Sequence, residues 1–140
     1  MGYQLHYAKL FEELQLQFGT LDANTTTWVI GFAAGGPVSM VTRKDAKLFA
    51  TCELSVYEEQ RPSTEGVKFE LFCMDDFDEG QAQTLLTALG ALSMQAQLGD
   101  RHAVDACQIS GTGVKQVRLH LFSTAEIEGI GYGLYRVRPA

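Results

Sequence analysis

The sequence predicts an α+β domain: a mainly antiparallel mixed sheet of about six or seven strands, with an N-terminal helix and a long central helix packed on it. Three observations carry this. Strand-like runs are grouped before and after a helical segment instead of alternating with helices one by one. Their connections are short and rich in turn residues. Two segments have the apolar spacing of amphipathic helices.

The first helix rests on Tyr7, Leu10, Phe11, Leu14 and Phe18, with Glu12, Glu13, Gln15 and Gln17 on the other face. Gly19 supplies its stop, because glycine adopts a left-handed cap at little cost. Residues 25–33 are rich in Thr, Trp, Val, Ile and Phe, which favour a pleated strand. Gly35-Gly36-Pro37 is a turn, residues 38–42 a second strand, and Arg43-Lys44-Asp45 a second turn. From Lys47 the chain alternates: Leu48, Ala50, Cys52 and Leu54 share one face, Phe49, Thr51, Glu53 and Ser55 the other.

A polar loop over residues 58–66 carries Pro62 and Gly66. The strand after it sets Val67, Phe69, Leu71 and Cys73 on one face, with Lys68 and Glu70 opposite. Asp78 then caps the long helix, its carboxylate accepting from an orphan backbone N–H, and Glu79 suits the positive end of the helix dipole. Ala82, Leu85, Leu86, Leu89, Leu92, Ser93 and Ala96 form the buried stripe, and Gly99 ends the helix. Gly90 inside it costs roughly 1 kcal/mol relative to alanine, a cost that close packing would explain. Residues 103–109 and 114–123 read as strands around Ser110-Gly111-Thr112-Gly113, with Val117, Leu119 and Leu121 as the core face. A glycine-rich stretch at 126–133 leads to a last strand at 132–137.

At 140 residues the chain fits one domain, residues 1–140, with enough length for a real core. No apolar run approaches the roughly 18 residues of a membrane span. The first residues lack the basic-then-apolar layout of a secretory signal, so the expected compartment is the cytoplasm. The net charge of -6 disfavours phosphate backbones and hence nucleic acid, and suits a basic protein partner. Cys52, Cys73 and Cys107 are odd in number and show no C-x-x-C spacing, which argues against a disulfide framework or a zinc site. They read as small buried hydrophobes.

No catalytic set assembles from spacing. Gly31-Phe32-Ala33-Ala34-Gly35-Gly36 lacks the Gly-Lys-Ser/Thr of a phosphate loop and opens a strand, so it reads as a hairpin connection. Asp75, Asp76, Asp78 and Glu79 offer oxygen ligands but lack the spacing of a calcium loop, so neither a metal nor a cofactor is expected. His6, His102 and His120 form no metal-binding pattern. Cys107 with His120 would make a thiol–imidazole pair if adjacent strands brought them together, but no orienting group is recognisable. Ser55 and Ser63 lack the context of a hydrolase elbow. Trp28, Tyr132 and Tyr135 read as packing residues.

The run Phe49-Ala50-Thr51-Cys52-Glu53-Leu54-Ser55, a proline-containing loop, and then Phe69-Glu70-Leu71 resembles the suppressor-of-fused domain. That family's strand signature of Thr-x-Gly-Leu/Met-Ser type is followed by a strand with a Glu-Leu pair and a helix with apolar doublets, here Leu85-Leu86. Residues 117–123, the acidic stretch 126–128 and residues 133–139 are similar too, so the resemblance spans about residues 38–139. Glu53 stands where the signature has glycine, and the family's tryptophan-rich loop is reduced to Asp75-Asp76-Phe77-Asp78. The resemblance implies an α+β domain that binds protein without catalysis, as do bacterial members resembling immunity proteins.

The functional expectation is a non-catalytic protein-binding domain, an immunity or inhibitor protein that neutralises a cognate toxin or other basic protein. Its expected contact residues are Asp75, Asp76 and Asp78 on one loop and Glu58, Glu59 and Glu65 on the preceding one, since binding residues concentrate on loops. The alternatives are an acidic, dimeric secretion chaperone that holds an exported effector, and a small thiol enzyme using Cys107 and His120. Composition does not fix the oligomeric state, and a dimer is compatible with it.

Overall fold

The computed structural model describes residues 12, 15–16, 19, 27–29, 38–43, 48–51, 54–56, 60–93, 95–106, 114–127 and 129–140. These give β1 (Thr27–Val29), β2 (Val38–Arg43), β3 (Leu48–Thr51), a 3-10 turn (Leu54–Val56), β4 (Lys68–Cys73), α1 (Glu79–Ser93), β5 (Ala103–Asp105), β6 (Gln116–Ile127) and β7 (Ile130–Pro139). The strands lie in one sheet in the order β1-β2-β3-β4-β7-β6-β5. Neighbours are antiparallel except β4 and β7, which run parallel with Lys68 opposite Tyr132 and Phe72 opposite Arg136. The class is therefore α+β with a mixed sheet, as expected.

Register explains the core. Phe49 faces Cys73 across β3 and β4, and Leu119 faces Val137 across β6 and β7. With Phe69, Leu71, Val117 and Tyr135 these residues meet Ala82, Leu85, Leu86 and Leu89 of α1 in one buried cluster. The alternation read in β4 and β6 thus holds on its apolar side, and Tyr132 and Tyr135 are packing residues. The second face of the sheet is buried as well at Leu48, Ala50, Phe72 and Leu134. There the rings of Phe72 and Phe122 meet edge-on at 5.2 Å.

Several boundaries differ from expectation, each for a local reason. α1 stops at Ser93 instead of Gly99, because Ser93 Oγ donates back to the Gly90 carbonyl at 2.7 Å and the N–H groups of Gln95 and Ala96 both turn to Leu92 O. Leu92 is half-buried and packs against the core cluster, and Ala96 lies past the helix end. β3 stops at Thr51, and the 3-10 turn that follows rotates Leu54 into the same cluster as Phe49, although simple alternation set them on opposite faces. Glu70, read as lying opposite the core, is fully buried. β6 and β7 continue through the glycine-rich stretch and close around a two-residue turn in which Gly129 has φ +82°.

Of the first predicted helix, Glu12, Gln15 and Leu16 are helical, and Gly19, at φ +85°, donates its N–H to Gln15 O at 2.8 Å. The remainder of that helix, the Gly31–Gly36 loop and the side chain of Trp28 lie outside the described residues. The loop before β4 is bound to the segment after α1: Arg61 N donates to Ser93 O and Thr64 N to Leu98 O. Gly99 permits this approach, since a Cβ there would lie 1.9 Å from Thr64 Oγ1.

Truncating Leu86, which is fully buried, to alanine should cost about 2–5 kcal/mol in urea unfolding. Gly99→Ala should also lower stability, by displacing Thr64; a variant as stable as wild type would show that the loop does not need this contact.

Candidate functional site

Among the described residues three polar clusters stand out, and their geometry separates structural polar groups from available ones. The first lies where β3 leaves the sheet. The β3–β4 ladder ends at Ala50 opposite Phe72, so the next β4 amide, Leu71 N–H, has no strand partner and donates instead to Thr51 Oγ1 at 3.0 Å. The Thr51 hydroxyl in turn donates to Glu70 Oε1 at 2.7 Å. Glu70 Oε1 also accepts Leu54 N–H at 3.0 Å, and Oε2 accepts Ser55 N–H at 2.7 Å together with the Ser55 hydroxyl. The carboxylate thereby satisfies the orphan amides at the start of the 3-10 turn, as a side-chain cap does for a helix.

Burial pushes the Glu70 carboxyl above its ordinary value, against the pull of the bonds from Ser55, Thr51 and the Ser55 and Leu54 amides. Gln60 braces the same strand, accepting Phe69 N–H at 3.1 Å and donating to Phe69 O at 2.8 Å. The residues that carry the family resemblance, Thr51, Leu54, Ser55 and Glu70, therefore meet in one network. Thr51, Ser55 and Glu70 are all buried, so their chemistry is turned inward.

The second cluster centres on Tyr135. Its hydroxyl donates to Glu65 Oε1 at 2.5 Å and lies 2.8 Å from Ser63 Oγ. Glu65 further accepts the Thr64 hydroxyl at 2.8 Å and Asp100 N–H at 2.9 Å, while Asp100 Oδ1 accepts Leu121 N–H at 2.8 Å. For Glu65, slight burial raises the carboxyl, but the bonds from Tyr135, Thr64 and Asp100 outweigh it and the net shift is downward. The Tyr135 phenol moves up, chiefly through burial and then through its bond to Glu65.

The third cluster is the acidic loop between β4 and α1. Asp78 Oδ1 accepts Gln81 N–H at 2.8 Å and Gln81 Oε1 accepts Asp78 N–H at 3.2 Å, a reciprocal cap that bears out Asp78 as the N-cap. Arg136 Nη2 on β7 lies 3.0 Å from Asp76 Oδ2 and 3.9 Å from Asp75 Oδ1. The Asp75 side chain is 74% exposed against 21% for Asp76. Arg136 Nε is buried without an acceptor among the described residues.

The candidate contacts thus divide. Asp75 and Asp76 share Arg136, Asp78 holds the helix, and Glu65 belongs to the separate Tyr135 cluster. Glu58 and Glu59 lie outside the described residues, as do Cys52, Cys107 and His6. His120 is half-buried opposite Arg136, and His102 is exposed. Cys73 is buried, and its thiol is pushed up by burial first and by the charge of Asp76 second. Among the described residues no three His, Cys, Asp or Glu side chains are grouped to hold a metal ion. No helix among them is long and apolar enough to cross a membrane.

Sequence reasoning missed Glu70 and Arg136. A signal for Glu70 was present: a lone carboxylate with Phe69 and Leu71 on either side, inside a six-residue strand of otherwise mostly apolar residues. No family model, curated protein or solved structure matches the chain.

Glu70→Gln would replace one carboxylate oxygen with an N–H2 that faces either the Leu54 or the Ser55 backbone N–H, and should cost about 1–3 kcal/mol in denaturant unfolding. The two carboxyls give opposite pH trends. Glu70, raised in the fold, binds a proton that the unfolded chain has released above its ordinary 4.5, so its contribution falls as pH rises from there through its folded value. Glu65, lowered, contributes fully above its ordinary 4.5 and loses that contribution as pH falls through its folded value. The stability deficit of Tyr135→Phe should therefore be larger at neutral pH than in acid; thermal unfolding across pH measures it, and a deficit independent of pH would remove Glu65 from that bond.

Proposed function

We propose that this chain is a non-catalytic protein-binding domain of the cytoplasm, an immunity or inhibitor protein that captures a basic protein such as a cognate toxin. The observation that carries this reading is the acidic loop between β4 and α1. Its backbone is held by the Asp76–Arg136 pair and by the Asp78–Gln81 cap, and the Asp75 carboxylate, next to Asp76 on the β4 side, stands largely in water. A fixed loop that presents negative charge loses little freedom on binding, and charge complementarity speeds encounter with a basic surface. The net charge of -6 works in the same direction.

The meeting of Thr51, Leu54, Ser55 and Glu70 supports the suppressor-of-fused-like reading, because it gives one physical reason for both halves of the resemblance. The same reading includes an N-terminal helix around Glu12–Leu16 as a second helix packed on the sheet. Asp75, Asp76 and Asp78 form the contact surface, with Glu58, Glu59 and Glu65 flanking it from the loop before β4.

Affinity capture from the native organism on immobilised protein tests this reading. A basic protein should be retained at low salt and released at about 0.5 M salt, where the screening length is a few ångströms. Asp75→Lys should slow its association roughly tenfold and lower stability by no more than about 1 kcal/mol, since its pair with Arg136 is long and largely in water. Capture unaffected by both salt and Asp75→Lys would reject the acidic loop as the contact surface.

A further inference from the structure

Among the described residues, β6 has a neighbour on its outer side over only part of its length. β5 pairs with it from Gln116 to Arg118, and single bonds from Leu119 N–H to His102 O and from Leu121 N–H to Asp100 Oδ1 continue as far as Leu121. A bulge follows between Leu121 and Ser123. Beyond it, β7 is the strand that pairs with β6 among the described residues, through Ser123 opposite Leu134 to Ile127 opposite Ile130. Ile127 and Ile130 flank a two-residue turn, where the closing residues exchange both backbone bonds. The alternation of an antiparallel ladder then directs the N–H and C=O groups of Thr124 and Glu126 away from β7. Both residues are exposed, and no strand among the described residues pairs with them on this side.

Natural edges are usually guarded by lysine, by proline or by being very short. The run Phe122-Ser123-Thr124-Ala125-Glu126-Ile127 has neither lysine nor proline, and Phe122 is 50% exposed. We propose that the open edge of β6 pairs antiparallel with the same edge of a second copy of this chain, across a twofold axis at Ala125. This register is the one that joins the outward groups: Thr124 faces Glu126 of the other copy, Glu126 faces its Thr124, and each such pair exchanges two backbone bonds. It is also electrostatically self-consistent, since no like charges stand directly opposite and a small residue meets itself at the axis. Short edges bury less than the roughly 1,000 Å² of a stable interface, so the dimer is weak, with a Kd on the order of 100 μM. Each copy carries a net charge of -6, so added salt tightens this association, the opposite of its effect on capture of a basic partner.

Sedimentation velocity of the full chain over a concentration series tests the pairing. Wild type should form dimers that strengthen between low and high salt. Thr124→Lys sets a cation opposite Glu126 of the other copy and should tighten the dimer roughly fivefold; Thr124→Glu sets like charges there and should weaken it by a similar factor. The same two substitutions at Thr84, exposed on α1, should leave the Kd in place. A chain that stays monomeric at several times that concentration would overturn the proposal. So would Thr124→Lys and Thr124→Glu moving the Kd in the same direction, or the Thr84 variants moving it as far.

Discussion

The carboxylate of Glu70 decides how the first half of the sheet is built. It sits fully out of water and draws its donors from three places: the hydroxyl at the end of β3, two amides of the 3-10 turn, and the hydroxyl of Ser55. A carboxylate in that position is tolerated only because every lone-pair direction toward the chain is met. The arrangement is specific as well as stabilising. An apolar residue at position 70 would leave the Leu54 and Ser55 amides without acceptors, and no rotation of the turn alone could restore them.

The same economy of polar groups runs through the rest of the molecule. The loop before β4 is tied to strand, helix end and neighbouring loop by Gln60, Arg61, Thr64 and Glu65, with Tyr135 as its buried post. On the acidic loop, Asp76 and Asp78 face Arg136 and Gln81. A side chain that looks available in a list of charges is in several cases already engaged in holding the backbone. Asp75, with 74% of its side chain exposed and neither a cap nor a close ion pair to hold, is the more available charge, and the functional reading therefore rests on that position more than on overall charge.

What could be read from the chain was what depends on neighbours in sequence. The apolar alternation of β4 and β6, the stripe of α1 and the Asp78 cap are local patterns, and each appears in the fold. Failures occurred where a distant group overrode the local one. Alternation continues through Ser55, yet β3 ends at Thr51 because Glu70, on the far side of a loop, offers the turn amides a better acceptor. The end of α1 was misplaced because glycine at 99 serves a close approach to Thr64, not a helix stop. The partnership of Arg136 with Asp76 was illegible for a related reason: sixty residues separate them, and only the parallel register of β4 and β7 brings them together.

That parallel seam has a consequence for how the molecule assembles. β1 to β4 form one antiparallel meander and β5 to β7 another, each joined by contacts that are close in sequence. The seam between Lys68 and Tyr132 closes a long loop, and such closure is slow compared with hairpin formation. On a ribosome, β4 emerges well before its partner, so its far side must wait bare until the ribosome has added β7. The parallel seam is thus the last pairing of the sheet that synthesis allows.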